Sequence, residues 1–302
     1  MTPDERSARD KQRAPEDTQP GAVIMTNLMN DPGFTEAPRE GSRGTAGWGP
    51  SIIVNADDWG RDRENTDRIL DCALRGALSS ASAMVFMEDS ERSAALAREN
   101  DFDCGLHLNL TAPLTAPQSP ARLRERQRRI GRLLRSQRLA PALFHPLLVS
   151  SFEYVVKTQL EEFERLYGAP PRRIDGHHHM HLCANVVRQR LLPAGTIVRR
   201  NFSFGPGEKS AFNRWYRGRQ DKRLARRHPM TDFFFSLPPL EPRSRLKRIF
   251  TLARTFDVEL ETHPINAVEY RYMMIGELMR DLGGVEVAKG YRLHSVGDRS
   301  MA

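Results

Sequence analysis

From residue 51 onward, short apolar runs alternate with longer stretches whose apolar residues recur every three or four positions. Residues 51–56 read as a buried strand, built on Ile52, Ile53 and Val54. Residues 64–75 then carry Ile69, Leu70, Ala73 and Leu74 on one helical face, and Gly76 supplies the stop. The same alternation predicts strands over 81–86, 103–110, 172–175, 196–199, 232–235 and 258–261, with 291–294 closing the set. Helices are predicted over 90–99 with a serine cap, then over a basic segment 122–138, 152–167, 185–192, 243–255 and 269–282. Residues 201–230 show no sustained period and read as an inserted irregular loop, with Gly205 to Gly207 as turn chemistry. Strand then helix, repeated six or seven times, predicts an α/β fold with a parallel sheet and crossover helices. An open doubly wound sheet and a barrel both fit this pattern. There is no internal repeat and no glycine-rich phosphate loop.

Composition changes this picture at the N-terminus. Residues 1–48 are rich in Pro, Gly, Thr and charge and lack an apolar period, which predicts a disordered tail before one catalytic domain over 49–302. The low hydrophobic fraction of 39% is explained in part by this segment. The tail has no apolar h-region, and no stretch approaches the roughly 18 apolar residues of a membrane span. Three widely spaced cysteines, Cys72, Cys104 and Cys183, argue against a disulfide framework. A cytoplasmic protein is the expectation. Cys183, two residues after His181, reads as a small buried residue at a helix start or as a soft metal ligand.

Charge adds a second theme. The formal net charge is +8. Eight arginines (122, 124, 126, 128, 129, 132, 135 and 138) are interleaved with Leu123, Ile130, Leu133, Leu134 and Leu139 at helical spacing. Two readings stand: a solvated helix face covering the body of the protein, or a contact for a polyanion or membrane surface. A second basic run over 214–227 carries Trp215 and Tyr216. Neither run matches a defined nucleic-acid motif, so no specific nucleic-acid partner is expected.

Candidate chemistry gathers at the carboxyl ends of the predicted strands. Asp57 and Asp58 follow the first, His107 lies near the end of the third, the cluster His177, His178, His179 and His181 follows the 172–175 strand, and His263 follows 258–261. In a parallel barrel those ends converge on one face. A catalytic divalent metal needs about three protein ligands and an open position, which one carboxylate and two imidazoles satisfy. Taken singly, each group has a plainer reading. Asp57-Asp58 could be a helix cap, and His107 or His263 a buried structural histidine. Adjacent backbone positions prevent His177, His178 and His179 from all binding one ion. One ligand, one orienting neighbour and one surface residue is the expected division.

Five segments carry a resemblance: Ile53-Val-Asn-Ala-Asp-Asp-Trp-Gly60, Gly76-Ala-Leu-Ser-Ser-Ala-Ser-Ala-Met-Val85, Gly105-Leu-His-Leu-Asn-Leu-Thr111, Asp175-Gly-His-His-His-Met-His181 and Glu261-Thr-His-Pro264. In this order they resemble the YdjC/ChbG-like carbohydrate deacetylases, a family that includes the hopanoid-associated HpnK branch. The resemblance implies a distorted TIM-like (β/α) barrel of mostly parallel strands and metal-dependent removal of acetyl from an N-acetylated sugar. It implies Asp58, His107 and His177 as ligands of one divalent ion, Mg or Zn, with Asp57 as base and His263 as acid; the two aspartates could exchange roles. Arg199, Trp215 and Tyr216 are the expected substrate contacts. Trp59 stands where the family usually has Phe, and the arginine-rich helix and the 201–230 segment are not family signatures. The rival from another class is a metal-holding protein that docks a polyanion or membrane surface through 122–138. Peripheral membrane contact and a homodimer remain open.

Overall fold

The structure is a computed structural model that describes residues 50–204 and 208–293. The expected tail, the Gly205 to Gly207 turn and His294 lie outside the described residues.

Strand β1 (Ser51–Trp59) anchors the sheet. Its Ile-Ile-Val run is buried on both faces, as a central parallel strand requires. Helix α1 (Arg63–Leu74) is capped by Asp62, which accepts from the Asn65 N–H. The remaining strands are β2 (Ser80–Ala83), β3 (Cys104–Leu108), β4 (Arg173–Gly176), β5 (Ile197–Val198), β6 (Phe233–Ser236), β7 (Val258–Thr262) and β8 (Glu286–Val287). The crossovers are α2 (Ser90–Glu99), α3 (Ala121–Ser136), α4 (Val149–Tyr167), α5 (Ala184–Gln189), α6 (Ala211–Leu224), α7 (Arg243–Leu252), α8 (Ala267–Met274) and α9 (Glu277–Asp281).

The sheet order is β5-β4-β3-β2-β1-β7-β6, with β8 beside β1, and the strand pairs are parallel. The sheet curls into a half-barrel, the distorted member of the two expected architectures. Its open seam is bridged where the Ser203 N–H donates to the Phe234 carbonyl (2.8 Å) and the Phe234 N–H to Ser203 Oγ (3.1 Å). Alternation divides the side chains. Ile52, Val54, Ala56, Leu106, Leu108, Ile174 and Leu260 join the apolar core beneath the helices. Asn55, Asp57, Ser82, His107, Asp175, Glu259 and Glu261 point inside the curl, where Asn55 faces Glu261 and His107 faces Asp175 across adjacent strands.

Several expectations change. Residues 201–230 are not an irregular insertion: α6 occupies Ala211–Leu224, opened by Ser210 accepting from the Asn213 N–H. Its buried positions are Arg217, Asp221 and Leu224, while Phe212, Trp215 and Tyr216 are exposed, so the helix has no apolar stripe to read. The helix expected over 269–282 is two helices, split where Gly276 takes φ +76°. Among the described residues the last strand is β8, and 291–293 form none. The serine cap of α2 is also displaced: Asp89 precedes the helix, and Ser90, its first residue, accepts from the Met87 N–H (2.9 Å).

Helix α3 buries Leu123, Gln127, Ile130, Gly131 and Leu134. Arg122 and Arg126 each lie 5.0 Å over the Tyr154 ring of α4. Arg128, Arg129 and Arg132 face solvent. Among the described residues, no helix is long and apolar enough to cross a membrane.

Candidate metal centre and the groups around it

β1 continues through Asp57 and Asp58 to Trp59, so the two aspartates belong to the strand and do not cap α1. The register with β2 shifts between Ala56 and Trp59, and Asp58 takes φ +70°. A β-branched or bulky residue would be strained there, whereas aspartate tolerates the left-handed region. The irregularity turns successive carboxylates toward different partners.

Asp58 meets two histidines. Its Oδ1 lies 3.0 Å from His177 Nδ1 and 3.4 Å from His107 Nε2, and its Oδ2 is tied to Arg61 Nη1 at 3.0 Å. Ligand atoms of Asp58, His107 and His177 all lie within 4.8 Å of one another, and all three residues are buried. Asp58 Oδ1 is buried without a hydrogen-bond partner, a costly state for a carboxylate unless a cation completes it. Burial pushes the Asp58 carboxyl up, but His177 and His107 overcome this and hold it well below the ordinary range. One carboxylate and two imidazoles suit Zn, Mn, Co or Ni better than Mg, which prefers oxygen ligands. The cluster therefore fits a divalent ion.

His107 is oriented from behind. Its Nδ1 lies 2.6 Å from Asp175 Oδ1. A carboxylate only accepts, so Nδ1 carries the proton, and Nε2 is the ring nitrogen that would face an ion beside Asp58. Asp175 is in turn held by Arg173 (3.1 Å) and the Ser82 hydroxyl. Arg173 crosses β3 because residue 105 is glycine: a Cβ there would lie 2.8 Å from Arg173 Cζ and 2.9 Å from its carbonyl oxygen.

Asp57 is bound differently. Arg199 grips it with two hydrogen bonds of 2.7 Å, and Asn55 donates to Oδ1 at 2.9 Å. Burial raises the Asp57 pKa, but the charges of Arg199 and His107 outweigh it and keep the carboxylate ionised. Arg199 is fully buried, and its Nε donates to Glu259 at 2.7 Å while Nη2 lies 3.2 Å from Asp175. Arg199, expected as a substrate contact, is a buried clamp on Asp57, with its donors engaged by carboxylates.

Ligand atoms of Asp57, Glu261 and His263 form a second group within 4.8 Å. His263 Nδ1 lies 3.8 Å from Glu261 Oε1, and its side chain is 21% exposed, so one face of the imidazole is open to a ligand. Its backbone is fixed at both sides, with its N–H on Glu269 (2.9 Å) and its carbonyl accepting from Asn266, the cap of α8 (2.8 Å). Burial drives Glu261 well above the ordinary range, and neighbouring Asp57 adds to the effect.

The three adjacent histidines of the cluster have distinct surroundings. His177 joins Asp58. His178 and His179 both take left-handed φ of 55° and 57°. His178 packs on His177 with ring centroids 4.0 Å apart and pairs with Thr111 Oγ1 at 3.0 Å, and burial lowers its pKa to about 3. His179, its side chain partly exposed, packs edge-on against Phe202 and lies 3.7 Å from Glu261. His181 is buried, with Nε2 donating to the Arg199 carbonyl at 2.9 Å; a Cβ on Gly176 would lie 2.9 Å from its backbone nitrogen. Cys183 starts α5 as a buried residue and joins none of the metal-ligating groups among the described residues.

The structure thus brings Asp57, Asp58, His107, His177 and His263 to one end of the sheet. Trp215 and Tyr216 lie exposed on α6. Sequence reasoning gave no role to Glu259, Arg173, Ser82 or Asn55, or to Asp175 and Glu261 beyond their place in the quoted segments. The available signal was the period-two spacing Asn55/Asp57, Arg173/Asp175 and Glu259/Glu261, which marks one face of each strand.

Two curated relatives named chitooligosaccharide deacetylase, from Proteus mirabilis and Yersinia pestis, are each 32% identical, over 150 and 152 residues. The match covers 47% of this chain and 57% of each relative, so the chain spans little more than half their length. A solved structure from Enterococcus faecalis, provisionally named a cellobiose-phosphate cleavage protein, superposes with TM-score 0.56 at 14% identity. It covers 80% of this chain and 97% of its own, a likeness of fold. Residues 51–277 match the YdjC-like protein family, and the chain belongs to that family.

Proposed function

We propose that this protein is a metal-dependent hydrolase that removes acetyl from an N-acetylated sugar, free, oligomeric or lipid-linked, releasing acetate and an amino sugar. The observation that carries this reading is the buried Asp58, His107 and His177 cluster with Asp57 and His263 beside it. The names of the curated relatives support the substrate class. A divalent ion at this cluster would acidify a water and polarise the acetamide carbonyl.

The remaining work falls to side chains. Asp57, kept ionised by Arg199, accepts the proton of the attacking water. His263 donates a proton to the departing nitrogen, which leaves poorly as an anion. Its partly open side chain and doubly fixed backbone suit that task. Asp175 holds His107 in one tautomer. Trp215 and Tyr216 offer exposed ring faces on which a sugar can stack. A binding protein working through α3 would need neither an ionised Asp57 nor an accessible His263.

The test is acetate release from N-acetylated mono-, oligo- and lipid-linked sugars by chelated and metal-loaded protein. His107→Ala and His177→Ala are expected to lose both bound metal and activity. Full metal occupancy and full activity in both variants would remove the site assignment.

A further inference from the structure

A cleft of about 620 Å³ opens between α5, α6 and the segment leading to β6. Its lining includes Arg190, Arg219, Lys222, Arg223, Arg226 and Arg227, and no acidic residue. Val186, Leu192 and Leu224 contribute apolar surface. None of the six cations has an acidic partner within 4.0 Å among the described residues. The single acid of α6, Asp221, is engaged by Asn201 (2.8 Å) and Arg200 (3.3 Å). Arg227 Nη1 is buried with no hydrogen-bond partner.

A helix C-terminus favours a cation or two in its last turn. That accounts for Lys222 and Arg223, not for cations converging from three segments. Like charges crowded beside a partly apolar wall repel one another, and a buried guanidinium N–H left unpaired costs free energy. Both conditions are relieved by one ligand type, a compact multivalent oxyanion. Guanidinium groups match phosphoryl oxygens in geometry as well as charge.

We propose that this cleft is a binding site for a phosphoryl anion, such as a phosphate or pyrophosphate group. It stands apart from the metal centre. Arg227 and His228 precede β6, and Arg190 precedes β5. The Gly195 N–H donates to the Arg227 carbonyl (2.9 Å), and His228 Nδ1 to the Thr196 carbonyl (3.1 Å). The cleft therefore lies at the amino ends of these strands, whereas the metal cluster lies at the carboxyl ends. The phosphoryl group belongs either to a free anion or to a lipid headgroup. Exposed Phe212 and Trp215 lie on α6, about two turns and one turn before Arg219.

The test titrates the full chain with inorganic pyrophosphate by calorimetry at low salt. Saturable binding is expected. It should weaken at least roughly tenfold in Arg223→Glu/Arg226→Glu and in Arg227→Gln. The charge-reversal pair is solvent-exposed, so a thermal midpoint equal to or above wild type will show that it folds. Acetate release from a soluble sugar should be unchanged in it. Vesicles of phosphatidylcholine with and without phosphatidic acid separate the sources. Retention on phosphatidic acid vesicles, reversed by pyrophosphate, assigns a headgroup, and pyrophosphate binding without vesicle retention assigns a free anion. No heat and no retention, or binding unchanged in both variants, overturns the proposal.

Discussion

Asp57 and Asp58 are neighbours in sequence with different surroundings, and that difference predicts separable phenotypes. Asp58 Oδ1 faces two imidazoles and lacks a hydrogen bond, whereas both Asp57 oxygens are held by Arg199. Asp58→Asn is expected to lose metal and activity together. Asp57→Asn is expected to retain metal and lower kcat by about 10²- to 10⁴-fold, the usual contribution of a positioned base. Metal analysis beside single-turnover kinetics distinguishes them; metal loss in Asp57→Asn with retention in Asp58→Asn would exchange the roles. Asp175→Asn should weaken metal binding about 10- to 100-fold, because it unfixes the His107 tautomer. Arg199→Met leaves Asp57 and Glu259 without their buried arginine, and Asp175 with Arg173 alone, and should cost about 3–5 kcal/mol in urea unfolding. The five residues of the centre were legible because several Asp and His side chains at the ends of parallel strands converge on one face, where packing alone rarely places them. The role of Arg199 was not. Its sequence position next to a strand end says nothing about which way the side chain turns, and an arginine is ordinarily exposed.

At the scale of elements, sequence patterning succeeded wherever one face of an element is apolar and failed where the buried face is polar. α3 is the clear success: Leu123, Ile130 and Leu134 turn inward as their spacing implies. Ile130→Ala or Leu134→Ala should cost about 2–5 kcal/mol. Neutralising exposed Arg128, Arg129 and Arg132 with Gln should shift stability by at most about 0.5 kcal/mol each and leave acetate release unchanged. A large loss of activity in these variants would revive a functional role for the basic face. α6 is the failure, since burying Arg217 and Asp221 produces no hydrophobic period. β7 misleads in a subtler way. Val258-Glu-Leu-Glu-Thr262 alternates like a strand with one wet face, yet all five residues are buried because the inside of the curl is itself polar. β3 shows what such an interior demands of the backbone. Gly105→Ala would drive a Cβ against the Arg173 carbonyl, which cannot swing aside as a side chain can. A lower urea midpoint at unchanged m-value, about 1–3 kcal/mol in all, is expected.

The whole molecule is organised around an acidic interior. Asp57, Asp58, Asp175, Glu259 and Glu261 are opposed within the curl by Arg173 and Arg199, so acidic groups outnumber permanent cations before any metal is counted. A bound divalent ion relieves this imbalance, and its binding energy becomes folding energy. Metal at 100 times its Kd should stabilise the fold by about 2.7 kcal/mol, which for a domain of this size raises Tm by about 5–10 °C over the chelated protein. The same imbalance sets the pH response of the chelated form. Asp57, Asp58 and Asp175 are depressed by their cationic neighbours, so their stabilisation is present above the ordinary aspartate value of 3.8 and is lost as the pH falls below it. Glu261 has the opposite sign. Burial and Asp57 raise its pKa well above 4.5, so the folded state binds its proton more tightly than the unfolded state does. Its contribution is full below 4.5 and is lost as the pH rises through the raised value. Glu261→Gln, which cannot ionise, should therefore gain stability relative to wild type between acid and neutral pH, whereas Asp175→Asn should lose it across the aspartate range. Urea midpoints measured in chelator from acid to neutral pH decide the matter. A gap between Glu261→Gln and wild type that stays constant with pH would mean that Glu261 ionises normally despite its burial.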